Sequence, residues 1–339
     1  MEPTSLSHLL AVIWFMIVGL FLVFYVVLDG FDLGVGLLSL VAGREDRRAV
    51  MMTSLSAIWD ANESWLVVVG GILFGAFPKA YAMVLSALYI PIIVMLFGLI
   101  LRGVAFEFHE LSERPYGWGL AFGIGSFVAA AAQGFALGAL LSMGTSGAPV
   151  TGTWAWFTPY SCLVAAGVVC GYALLGATYL IMKTEGIMQA PCHPRATIAA
   201  VLVLLVAAAV TVYTPLQYSW VAAKWFSRPG IYYYAGPVVL ALFSFGMLFR
   251  SLRRRAEVAP FVWSLLIFVS SFAGLAATLF PYIIPGQLTV YQAAADPTTL
   301  VFMLSMVGLF IPIMIAYNAY QYTVFRGKIR VGEGYGGGR

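Results

Sequence analysis

Charge is what this sequence has least of. Only 9% of its 339 residues are Asp, Glu, Lys or Arg, against about 25% in an ordinary globular chain, which excludes a soluble globular domain. Cysteine and histidine are scarcer still, at three each. Cys162, Cys170 and Cys192 form no CxxC pair and no readable disulfide framework, so they read as small residues packed in or near helices. Cys192 and His193 are adjacent, but two residues do not make a metal site. There is no glycine-rich phosphate loop, no nucleophile elbow and no polar stretch long enough for nucleotide chemistry. The net charge of +4 is too small to point to nucleic acid. The first apolar segment lacks a basic flank and a small-residue cleavage site, so it is expected to stay as a spanning helix.

What the chain has instead is apolar length. Hydrophobic residues make up 62% of it, and runs of 18 or more recur throughout, as in helices that cross a membrane. Stretches such as "AVLVLLVAAAV" (200–210) do not alternate every second residue, which excludes the strands of a membrane barrel. The expectation is an all-α polytopic membrane protein with one integral domain of nine transmembrane helices. They lie near 9–41, 52–77, 81–104, 118–142, 160–182, 197–220, 235–249, 259–283 and 299–325. The links between them are asymmetric. Fifteen of the 18 basic residues fall in one alternate set of links and the tail, and the other set holds only Lys79, Lys224 and Arg228. By the positive-inside rule the N-terminus is outside and the C-terminus is cytoplasmic.

Four acids interrupt apolar runs: Asp29 and Asp32 in "LDGFDLGV" (28–35), and Asp60 and Glu63 in "WDANES" (59–64). Each pair is spaced i, i+3 and so shares a helix face. At about 1.5 Å per residue, Asp29 lies about 22 Å from Arg44 and Asp60 about 18 Å from Arg48. The two pairs therefore share a depth and are expected to face one another across a polar pocket. A carboxylate at mid-membrane costs about 3 kcal/mol or more, and usually turns to the bundle interior or a wet cavity. One reading is proton handling, since a buried carboxyl can load and release a proton. The other is structural: the acids pair with an arginine such as Arg102 or cap a broken helix. Paired acids would also suit a proton-coupled transporter, the alternative function, although no convincing inverted repeat accompanies them.

The histidines stand apart from this depth. His8 is at the outer end of the first span, and His109 and His193 are in cytoplasmic links. Haem iron needs axial ligands at depth, and lone methionines in a bundle usually pack. No haem and no metal is expected in this chain.

The stretches "YVVLDGFDLGVGLL" (25–38) and "IWDANESWLVVVGGILFGAFPKAYA" (58–82) closely resemble subunit II of the cytochrome bd-type quinol oxidases, including the cyanide-insensitive branch. The resemblance continues through "LRGVAFEF" (101–108), "GSFVAAAAQGFALG" (125–138), "GATYLIMKTEG" (176–186) and "LFPYIIP" (279–285), over almost the whole chain. It implies two four-helix bundles plus one peripheral helix, in a bacterial inner membrane. It implies a non-haem subunit of a quinol:dioxygen oxidoreductase, partnered by a subunit I that holds haem b and haem d and oxidises quinol. It also implies help in delivering cytoplasmic protons for oxygen reduction to water. Asp60 matches the family's aspartate on that route, with Glu63 as its i+3 partner. Asp29 and Asp32 match the "DGFD" motif, and Trp59 and Arg102 match supporting positions. Helical rise places Arg102 nearer the cytoplasm than Asp29 or Asp60. A bound quinone, a small single-helix accessory subunit, and contacts with quinol and lipid complete what the family implies. The outer links here are shorter than in other members.

Overall fold

A computed structural model describes residues 5–113, 115–143, 152–228 and 230–329. Arg114, Arg330 and Arg339, counted above on the cytoplasmic side, and the middle of the 142–159 link lie outside these residues. The described chain runs α1 (Ser5–Leu40), α2 (Glu45–Thr53), α3 (Trp59–Ala76), α4 (Pro78–Ala87), α5 (Tyr89–Leu111), α6 (Pro115–Ser142) and α7 (Pro159–Lys183). It continues with α8 (Gly186–Gln189), α9 (Cys192–Gln217), α10 (Ser219–Trp225), α11 (Gly230–Arg253) and α12 (Ala259–Leu279). A small antiparallel hairpin follows, β1 (Tyr282–Ile284) and β2 (Leu288–Thr289), then α13 (Val290–Ala293) and α14 (Pro297–Val324).

Eight helices among the described residues are long and apolar enough to cross a membrane. The expected second span, 52–77, is not among them, because its helical part is α3, whose first turns carry Asp60, Asn62 and Glu63. Its N-terminal part is instead the end of α2 and a buried turn. That turn is tied down by Ser54 Oγ donating to the Met51 carbonyl at 2.6 Å and by the Tyr179 hydroxyl donating to the Ser54 carbonyl at 2.8 Å. Such bonds let backbone leave a helix without stranding buried polar groups. The expected span 81–104 is two helices. Pro91 has no N–H to offer the Ala87 carbonyl, so the chain breaks at Leu88 and α5 then runs on to Leu111. The short seventh expectation, 235–249, is a full helix of 24 residues, since Arg250 and Arg253 continue it and suit its C-terminal dipole. The expected eighth span, 259–283, ends as a helix at Leu279, and an unforeseen hairpin takes its last residues and the start of the outer link.

α1 packs on α3, α6 and α7; α6 also packs on α5, α7 on α9 and α12, and α11 on α12. Glycine sets the closest approaches. A Cβ on Gly34 would lie 1.8 Å from the Tyr172 carbonyl oxygen, and one on Gly176 would lie 2.3 Å from the Gly34 carbonyl carbon. α1 and α7 therefore touch backbone to backbone, the contact that small residues permit in membranes. α14 leans on α3 and α1 but buries only 6% of its apolar stretch within the chain.

The outer corner depends on one cation. Lys224 Nζ donates to the carbonyls of Ala277 (3.2 Å), Thr278 (2.6 Å) and Phe280, at the end of α12. These are orphan acceptors of a helix C-terminus, and burial pulls the Lys224 ammonium below the usual lysine range. Lys224→Met is expected to cost about 1–3 kcal/mol by removing the donor of the Thr278 and Phe280 carbonyls, while Ala277 keeps a long bond from the Tyr234 hydroxyl. A lower unfolding temperature of the purified protein, partly restored by Lys224→Arg, is the check.

Candidate functional site

Three helices build the buried site. α1 contributes Asp29 and Asp32, both fully buried; α3 contributes Asn62 and Glu63; α5 contributes Arg102, also fully buried. Arg102 Nη1 donates to Asp29 Oδ1 at 2.6 Å, and Nη2 donates to Glu63 Oε2 at 2.9 Å. Asn62 Nδ2 donates to Asp32 Oδ2 at 2.9 Å, and the Tyr322 hydroxyl of α14 donates to Asn62 Oδ1 at 2.9 Å. Tyr25, one turn before Asp29 on α1, extends the polar chain: Gln133 Nε2 donates to its hydroxyl at 2.7 Å, and the Tyr172 hydroxyl donates to Gln133 Oε1 at 2.6 Å.

The cluster is not electrically balanced, since three carboxyls share one guanidinium. Asp29 Oδ2, Asp32 Oδ1 and Arg102 Nε are buried without a protein partner. An uncompensated polar atom in a low-dielectric interior is costly, so this is a place that can hold a proton or a polar guest.

One expected partner is found here, and one expected member of the cluster is not. Arg102 reaches Asp29 although its Cα lies closer to the arginine-rich end. Helical side chains lean toward their own N-terminus, and α5 starts at the opposite end, so the long side chain leans back to the aspartate. Asp60 does not join the cluster. Three residues turn a helix by about 300°, and the residual rotation sends Glu63 to Arg102 while Asp60 stays exposed. Asp60 instead lines a cleft of about 500 Å³, shared with Ser56, Glu107, Tyr317, Tyr320 and Gln321. Trp59 forms one wall of it and stacks on Phe106 at 5.1 Å between ring centroids and 8° between planes.

Sequence reasoning missed Asn62, Tyr322, Gln133, Tyr25 and Tyr172. Asn62 stands inside the "WDANES" stretch and Gln133 inside an apolar run, and a lone amide in either place was a readable signal. Nothing in the sequence links Tyr322 to a residue 260 positions away. Two of the three histidines are engaged elsewhere: His8 rests against Tyr291 at 4.6 Å, and His109 Nε2 lies 3.2 Å from Glu45 Oε1. Among the described residues no group of three or more His, Cys, Asp or Glu is arranged to hold a metal.

Comparison with known proteins fits this architecture. The family described as cytochrome bd terminal oxidase subunit II matches residues 10–325. The cytochrome bd-I ubiquinol oxidase subunit 2 of Escherichia coli (strain K12) is 30% identical, over 95% of this chain and 96% of its own. A probable cytochrome oxidase subunit 2 from Haemophilus influenzae is 28% identical over 94% of each chain. Among solved structures, the bd oxidase from Geobacillus thermodenitrificans shares the fold with a TM-score of 0.78 at 19% identity, covering 94% of this chain and 99% of that one. With the match running through almost all of its length, the chain belongs to the subunit II family of the cytochrome bd terminal oxidases, as a multi-pass subunit of a bacterial inner-membrane oxidoreductase.

Proposed function

We propose that this subunit supports a haem-bearing subunit I in the quinol-driven reduction of dioxygen to water, and that it passes cytoplasmic protons toward that partner. Haem b and haem d are assigned to subunit I. The observation that carries the reading is the position of Asp60. Its carboxyl is exposed in a cleft between α3, α5 and α14, with Glu107 on the same lining. Two acids in one open cleft on the arginine-rich side can take protons from water and hand them on. α14 beside it leaves most of its apolar surface to lipid or to a partner, which supports a second subunit meeting the cleft.

The buried cluster divides the remaining roles. Asp29 and Glu63, both engaged by Arg102, are assigned to holding α1, α3 and α5 together. Asp29 and Asp32 each keep one oxygen without a protein partner, but Asp32 bonds only the neutral Asn62 amide and not the guanidinium, so it is assigned to hold a proton.

Quinol-driven oxygen consumption by the purified complex carrying Asp60→Asn tests this, with the haem spectrum recorded on the same sample. Turnover is expected to fall at least about tenfold, a conservative share of the about 10²–10⁴-fold that a proton-transfer group typically contributes, with haem bands intact and partial recovery in Asp60→Glu. Unchanged turnover with intact bands would remove Asp60 from the route.

A further inference from the structure

A second cleft, of about 390 Å³, opens between α1, α7, α12 and the end of α14. Its wall is apolar, with Leu28, Phe31 and Phe261 among the lining side chains, and its mouth is basic, with Lys183, Arg326 and Lys328. The mouth lies at the arginine-rich end of the helices, where α14 finishes at Val324. The three cations are not equivalent. Lys183 Nζ donates to the carbonyls of Phe325 and Gly327, and Lys328 Nζ is held by Glu257 at 2.6 Å and Glu185 at 3.6 Å. Arg326 is exposed, and none of the described residues pairs with it. The local charge is thus one cation in excess over the two glutamates.

We propose that this cleft binds one anionic phospholipid of the cytoplasmic leaflet, with an acyl chain along Phe31 and Phe261 and the phosphate on Arg326. Its volume falls within the range of small-molecule sites, about 300–1,000 Å³. Basic pockets between membrane helices on the cytoplasmic side are suited to anionic headgroups, and a guanidinium grips phosphate with two parallel bonds. A free phosphate would leave the apolar wall unfilled, and a neutral isoprenoid would leave Arg326 unused; a phospholipid satisfies both ends. Tyr322 lines the same cleft and bonds Asn62, which bonds Asp32. The bound chain therefore packs directly behind the buried acids and seals that side of them.

Native mass spectrometry of the purified complex, combined with extraction and quantitation of bound lipid, tests this in wild type, Arg326→Ser and Leu265→Trp. Leu265 lines the cleft, so its replacement fills the space, whereas Arg326→Ser changes an exposed group and is expected to leave folding intact. Both variants are expected to hold one phospholipid fewer per complex. Phosphatidylglycerol added to delipidated complex should raise the unfolding temperature of wild type several-fold more than that of Arg326→Ser, and phosphatidylcholine should not distinguish them. Equal lipid counts in all three proteins would overturn the proposal. So would loss of an isoprenoid quinone in place of phospholipid, or a gain of phospholipid on removing residues 331–339, which would make the tail the occupant. Lipid count, not turnover, is the readout, so the result stands apart from the role of Asp60.

Discussion

Replacing Arg102 with methionine is expected to abolish recovery of the assembled complex. Both the guanidinium and Asp29 are fully buried, and Arg102 bonds two carboxyls on two other helices. Removing one partner of a buried pair costs about 3–5 kcal/mol, because the other charge is left without compensation. A folded domain has only about 5–15 kcal/mol in total, and here one substitution strands Asp29 and Glu63 together. Arg102→Lys keeps the charge but has no rigid fork to span both carboxyls, so an intermediate yield is expected. The double change Arg102→Met with Asp29→Asn should recover part of the loss, since one stranded charge is gone. Yield of haem-containing complex after size exclusion is the measurement. Wild-type yield and unfolding temperature in Arg102→Met would show that the ion pairs do not hold these helices.

Gly34→Val is expected to do comparable damage by a different route. The new Cβ would meet the Tyr172 carbonyl oxygen at 1.8 Å and the Gly176 amide nitrogen at 2.8 Å. Both are backbone atoms, so no rotamer change relieves the clash, and α1 must move away from α7. Overpacking that side chains can absorb costs about 1–3 kcal/mol, and a backbone clash exceeds what they can absorb. The consequence reaches the site, because α7 carries Tyr172, the far end of the Gln133–Tyr25 chain beside Asp29. Gly19→Val is the matched control on the same helix, with nothing within 4 Å of its added Cβ. Lost yield in Gly34→Val with normal yield in Gly19→Val is predicted; equal yields would show that the α1–α7 contact is not needed.

Much of this architecture could be read in advance, and the reasons differ by element. Long helices were legible because membrane crossing demands unbroken apolar length; the caps that start two of them, the Thr158–Ser161 box before Pro159 and Asp296 before Pro297, went unread. The break at Leu88 was hidden because Pro91 sits in an apolar run that still averages as one span. The four acids stood out because charge is costly in that setting. Which of them would meet was legible only in part: Arg102 was a named candidate, but the parting of Asp60 from Glu63 was not foreseen. Arg102 joins Asp29 through side-chain lean, not Cα depth, and Asp60 parts from Glu63 through a rotation that the i, i+3 rule counts as one face. Tyr322 was beyond reach because long-range contacts leave no local pattern.

The most direct test of proton delivery is to follow proton uptake itself. Fully reduced complex in vesicles would be mixed with dioxygen, with a pH dye on the cytoplasmic-facing side and haem absorption recorded in parallel. If Asp60 takes the protons in, Asp60→Asn slows proton uptake and the oxygen-linked absorbance changes together, by at least about tenfold, while the haem spectrum at rest is unchanged. Proton uptake at the wild-type rate in Asp60→Asn would contradict the assignment and leave this subunit a structural support for its partner.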